Sequence, residues 1–288
     1  MSKSTVKILI FYIFCVLVLT SCSRENIDDA TNMTESTEMT EATESAEDLY
    51  KGYFDALKSN TFTLEDHLRW LDTYMSILTP KQASEVLIAF EEKHRAESFK
   101  LMEKLYVEGS SEPVKSVADA VPSLGYKLEP IEGSFNIIID YHYYLAYLPF
   151  VTEDVADFYR LMKVESDAVP LKDAGIVIEW KSLFERTFGW ESFIDTYPNS
   201  VLKDRGEDFF LSYQDWSYNG APNTPVFDWD QKKLTEDYQQ GIELFLSKKT
   251  MGAYSEALRS FYKLIQDQHY IQNDQIQKIQ LQYAREYE

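Results

Sequence analysis

The chain is 288 residues long, carries a net charge of −20 and contains 20 Tyr, 17 Phe and 5 Trp. A body this acidic repels phosphate backbones, which argues against nucleic acid as a partner, and ten glycines leave little material for phosphate-cradling loops. No Gly-x-Ser-x-Gly, phosphate-loop or dinucleotide fingerprint occurs, so neither a nucleotide nor a cofactor is expected.

The N-terminus has Lys3 and Lys7, an apolar run from Ile8 to Leu19, and then Leu19-Thr20-Ser21-Cys22. A charged start, an apolar stretch of this length and a small-residue cleavage site define a secretory signal peptide. The run is too short for a membrane-spanning helix, which needs about 20 apolar residues. Leu-Thr-Ser-Cys resembles the lipobox of bacterial lipoproteins. The resemblance implies removal of residues 1–21, acylation of Cys22 (palmitate among the acyl groups) and a protein tethered to a membrane. Ser23 lacks the Asp that marks inner-membrane retention, which favours the outer membrane or the cell surface. The two cysteines are Cys15, lost with the signal peptide, and Cys22, consumed by lipid, so the folded part has no disulfide and no thiolate metal site.

Residues 22–48 form the expected tether, with nine acidic residues and Arg24 after the lipidated cysteine. Such a segment has too little apolar surface to offset its ordering entropy and should be disordered. With −8 there and +2 on the signal peptide, the folded part carries −14. Anionic lipid would repel it, so attachment should rest on the acyl chains.

The pattern then turns helical, with an N-terminal part at 49–112. Leu49, Tyr53, Ala56 and Leu57 share one face, and Leu64, Leu68, Leu71 and Met75 another. Thr79-Pro80-Lys81-Gln82 opens a helix with its cap, its first-turn proline and a glutamine three residues on. Ala83, Val86, Leu87, Phe90, Leu101 and Leu105 should face inward, with the end near Val107. Residues 113–133, rich in proline and glycine, are read as a hinge or loop before a C-terminal helical part at 134–288. Ile and Tyr between Phe135 and Leu148 favour a strand by propensity. Phe135, Ile138, Ile139, His142, Leu145 and Ala146 fit one helical face, and the spacing predicts a helix with His142 inside. Thr152 opens a helix with Val155, Phe158, Tyr159 and Met162 inside.

Glu191-Ser192-Phe193-Ile194-Asp195-Thr196-Tyr197-Pro198-Asn199-Ser200 and Tyr254-Ser255-Glu256-Ala257-Leu258-Arg259-Ser260-Phe261 resemble parts of tetratricopeptide-type bacterial lipoproteins. The regular 34-residue period is absent, although helix starts near 134, 172 and 209 are expected about 38 residues apart. The resemblance implies an all-α fold, an irregular array of antiparallel helical hairpins (a TPR-like α-solenoid or a helical bundle). After a helix-poor region at 218–230, helices are expected at 231–247, 251–269 and 273–287, the last as a polar-faced end cap.

Histidine is scarce. Glu91-x-x-His94 has di-iron spacing but no second copy, so His94 is expected at the surface or at its boundary and no metal site is expected. The most suggestive stretch is 213–230, where Trp216, Tyr218, Asn219, Asn223, Asp228, Trp229 and Asp230 are the candidate ligand-binding residues. Aromatic faces beside amides and carboxylates suit sugar rings. The same oxygens suit calcium, and paired carboxylates suit glycosidic acid–base work. Structural loop residues would have the same composition, with Asp228 or Asp230 capping the next helix. No catalytic residue is assigned. The sequence points to a non-catalytic helical scaffold in the envelope, with a protein as partner. The alternatives are a glycan-binding protein centred on 213–230 and, below it, a carboxylate hydrolase.

Overall fold

The computed structural model describes residues 45–248 and 251–285. The expected signal peptide, Cys22 with its expected acylation, and most of the expected tether lie outside the described residues. None of the described helices is long and apolar enough to cross a membrane.

The chain is mostly helical. Helix α1 (Ala46–Ser59) starts inside the expected tether, because Ser45 caps it by accepting from the Asp48 N–H. Ala46 to Asp48 therefore form a helical turn, a correction to the boundary. Helix α2 (Leu64–Tyr74) has a capping box between Thr63 and Asp66, and α3 (Pro80–Leu105) one between Thr79 and Gln82. Pro80 sits where its missing N–H costs no hydrogen bond. Ala83, Val86, Leu87, Phe90 and Leu105 are buried as the spacing predicts, and Leu101 is half-buried.

Residues 113–133 hold helix α4 (Lys115–Ala120), a 3-10 turn and strand β1 (Tyr126–Ile131). The helix expected over 135–148 is not formed. Its first half is strand β2 (Ser134–Ile139), paired antiparallel with β1, and its second half is two 3-10 turns. Glu132 and Gly133, both at positive φ, close a two-residue hairpin that matches strand twist. Ile137 and Ile139 point into the core in strand alternation, while His142, expected inside, is exposed.

Helix α5 (Glu153–Asp167) follows, and then hairpin β3 (Leu171–Lys172) with β4 (Gly175–Ile176). The next helix, α6 (Trp180–Thr196), therefore starts later than the position near 172. Helix α7 (Lys203–Asn219) starts before 209, so the 38-residue recurrence of helix starts is not present. Hairpin β5 (Gly220–Ala221) with β6 (Thr224–Pro225) leads to α8 (Glu236–Ser247), α9 (Ala253–Asp267) and α10 (Asp274–Tyr283). Gly241 brings α8 against α6, where a Cβ would lie 2.4 Å from the Trp180 Cβ. One apolar core runs from Leu49 to Ile276 and contains residues from both sides of 113–133.

Two buried carboxylates tie the helices together. The Glu91 side chain is completely buried and accepts from Arg205 at 2.6 and 2.7 Å, from Arg95 at 2.7 Å, and from Tyr141 and Tyr159. Burial pushes its carboxyl up, but the Arg205 hydrogen bonds and charge more than reverse that and hold it below the usual range. Glu165 accepts from Arg186 at 2.9 Å, Trp190 at 3.1 Å and the Tyr213 hydroxyl. Here burial prevails and the pKa is raised. His94, expected at the surface or its boundary, is fully buried between the Tyr144 hydroxyl and the Leu124 carbonyl.

Candidate functional site

The 213–230 stretch begins on the last two turns of α7. Tyr213 is locked by its bond to Glu165, and its ring meets Trp216 edge-on at 5.0 Å. Trp216 is thus held from behind and leaves one side half-exposed.

Gly220 ends the helix at φ +77. A Cβ there would lie 2.4 Å from the Thr224 carbonyl oxygen, so only glycine lets the chain turn into the β5–β6 hairpin. This hairpin interlocks with β3–β4. Asn223 N–H donates to the Ala174 carbonyl, the Asn223 amide to the Asp173 carbonyl, and Ile176 N–H to the Thr224 hydroxyl. Asp173 and Ala174 both have positive φ, as a tight hairpin turn requires. For an alanine this is a strained conformation, costing about 1 kcal/mol or more, and the interlocked hairpin maintains it.

Trp229 stands on the next loop. Asp228 accepts from the Asp230 and Gln231 N–H groups, and Asp228 N–H donates to the Lys233 carbonyl. Bridges from Phe227 to Leu234 and from Lys233 to Ile271 close the loop. Trp229 is 66% exposed, and the Lys232 ammonium lies 5.8 Å from its ring centroid.

Together these elements form a cleft of about 580 Å³. Its walls are Trp216, Trp229, Leu171, Ala174, Pro222 and Pro225, with Gly220 and Ala221 between them, and among the described residues its only polar side chains are Asp215 and Asn219. The Asn219 amide group donates to Asp215 at 2.7 Å and to the Gln280 carbonyl at 3.1 Å.

Of the seven candidates read from the sequence, Trp216, Asn219 and Trp229 line the cleft. Tyr218 does not. It is buried in the core, with its ring stacked 4.0 Å from that of Tyr283. Asn223 and Asp228 hold the two loops in shape, and Asp230 is an exposed loop residue. The sequence reading missed Leu171 and Ala174, whose one local signal is the Asp173-Ala174-Gly175 turn after Pro170. No group of three acidic, histidine or cysteine side chains that could hold a metal ion occurs among the described residues.

Comparison with known proteins gives no match, whether to a protein-family model, a curated protein or a solved structure. The functional reading therefore rests on the geometry of the cleft.

Proposed function

We propose that this chain is an envelope lipoprotein, anchored through acyl groups on Cys22, that docks a protein partner in the Trp216–Trp229 cleft without catalysing a reaction. The observation that carries the reading is Trp229, a tryptophan two-thirds exposed on a hydrogen-bonded loop beside a second tryptophan. Tryptophan is enriched among the few residues that carry most of the binding energy of protein interfaces. The loop that carries the ring is hydrogen-bonded in advance, so its backbone loses little freedom on binding.

The glycan alternative uses the same two rings. Sugar hydroxyls need many polar partners, and this cleft presents only Asp215 and Asn219, with both amide hydrogens of Asn219 already used. A hydrolase of the glycosidic type works with two carboxyl groups about 5–9.5 Å apart across the bond. Among the described residues, Asp215 is the one carboxylate lining the cleft. The apolar walls and the proline pair favour a peptide segment with apolar or proline side chains. The reading of the helices as an irregular array of antiparallel hairpins is part of this proposal, supported by α6 and α7, which follow one another across residues 197–202.

The test exposes the full-length protein and its Trp229→Ala variant to a random peptide library and to a glycan array. The reading expects enrichment of peptides with aromatic, aliphatic or proline anchors, lost in the variant. Glycans bound through Trp229, with no peptide enriched, would replace the protein partner by a glycan.

A further inference from the structure

His67, on α2, is fully buried, and neither of its ring nitrogens has a hydrogen-bond partner among the described residues. The ring sits in an aromatic box. Its centroid lies 5.5 Å from that of Tyr53 on α1, 5.3 Å from that of Phe62 and 6.4 Å from that of Phe90 on α3. The Tyr53 hydroxyl is also buried without a partner among the described residues. A native fold rarely leaves such groups unpaired without a reason, because each loses hydration that no bond offsets. His94, one box further along α3, is bonded at both nitrogens.

A proton makes the burial of His67 far more costly. The imidazolium carries two N–H donors and a charge, and no acceptor stands within bonding distance of either nitrogen among the described residues. The titratable and charged groups facing the ring are Tyr53 from α1, Asp66 from α2 itself, and Lys93 and Glu97 from α3, with His94 beyond Phe90. Residues 60–63 and the 122–124 turn packed on α2 carry none. Both acids are engaged, Glu97 with Lys93 at 3.0 Å and Asp66 in its capping box. Burial holds the His67 pKa below its usual value and the Lys93 charge lowers it further, against the pull of Asp66 and Glu97.

The attachments of α1 and α2 set them apart from the other helices. Among the described residues, no backbone hydrogen bond joins 46–78 to the rest of the chain. The side-chain bonds that cross are at exposed or part-buried positions: Tyr50 to Glu85, Gln82 to Glu47, Lys93 to Asn60 and Tyr147 to Asp72. Helix α3 is held independently from its other side, by Ser84 with Thr152 at 2.9 Å and by Glu91 with Arg205. We propose that α1 and α2 form an acid-sensitive latch, in which a proton on His67 opens residues 46–78 from α3 while α3 to α10 stay folded. Opening uncovers the apolar faces of α1, α2 and α3 and lengthens the chain between Cys22 and the folded body. The proposal is independent of the partner-docking reading of the cleft.

Once the segment opens, His67 meets water and titrates near pH 6.5, whereas the closed latch holds it neutral. The latch is therefore tightest above pH 6.5 and loosens as pH falls below it. Linkage gives an increase of about ten- to thirty-fold in the opening equilibrium between pH 7.5 and 5. Hydrogen exchange read by mass spectrometry tests this on the full-length protein in nonionic detergent, corrected for intrinsic exchange at each pH. Peptides from 46–78 should lose protection by that factor and, at pH 5, exchange at least ten-fold ahead of peptides from α5 to α7. His67→Phe puts an uncharged ring in the box and should abolish the loss, as should His67→Leu. His94→Gln should retain it, because His94 stays enclosed when the latch opens. The wild-type and His94→Gln measurements decide the question even where a His67 variant does not fold. The proposal fails if wild-type 46–78 keeps its protection at pH 5, or if it exchanges together with α5 to α7, which makes the opening global. It also fails if His67→Phe loses protection as the wild type does, or if His94→Gln abolishes the loss.

Discussion

Mild acid should destabilise this protein through His94, and the size of the effect follows from its surroundings. The ring is fully buried against Phe90 and Tyr126. Nε2 lies 2.8 Å from the Leu124 carbonyl, which can only accept, so Nε2 carries the proton and Nδ1 accepts from the Tyr144 hydroxyl. A second proton on Nδ1 would force the Tyr144 hydroxyl, itself buried, to reverse its hydrogen bond. Burial therefore lowers the His94 pKa from 6.5 to about 4, with the Leu124 carbonyl and Glu91 pulling partly the other way. The pKa is depressed on folding, so the unfolded chain takes up the proton first. The contribution is complete above pH 6.5 and is lost as pH falls from 6.5 towards 4. The full difference is about 3 kcal/mol, of which about 2 kcal/mol disappears between pH 7.5 and 5. Urea unfolding of the wild type and of His94→Gln at both pH values isolates the term, because His67, also held below its usual pKa by burial, is common to both. The variant should lose about 2 kcal/mol less than the wild type over this interval. Equal losses in the two proteins would refute the argument.

Three further outcomes are expected. Arg205→Met leaves the buried Glu91 carboxylate with Arg95 as its remaining cation and should cost about 3–5 kcal/mol in chemical unfolding; adding Glu91→Gln should recover at least about 1 kcal/mol. Deleting residues 24–44 should leave the melting temperature unchanged, whereas deleting 24–48 removes the Ser45 cap and the first turn of α1 and should lower stability by about 1 kcal/mol or more. Cys22→Ala should move the protein from the membrane to the soluble fraction; a variant that sediments with membranes at high salt would contradict lipid anchoring.

The parts of the fold that were legible in the sequence are those specified within a few residues. The start of α3 is spelled out by Thr79, Pro80 and Gln82, and its inward face by a spacing that needs no partner to be recognised. The 135–148 segment misled because an isoleucine-rich run can satisfy helical and strand periods over so short a length. The deciding feature was the Glu132-Gly133 turn, which pairs the segment with β1. His94 was misplaced because its partners are 30 and 50 residues away in the chain. The 213–230 stretch was conspicuous by composition, but which of its residues face the cleft depends on β3–β4, which ends 37 residues before the stretch begins. Tyr218 shows the same limit, since an aromatic beside Trp216 is outwardly similar until α10 packs over it.

Photo-crosslinking in the native membrane decides whether the Trp216–Trp229 cleft docks a protein. A benzophenone amino acid would replace Trp229 in one variant and Val201, 79% exposed and outside the cleft, in another. A discrete, protease-sensitive adduct is expected from position 229 and none of the same mass from position 201. No adduct from position 229, or the same adduct from both positions, would contradict it.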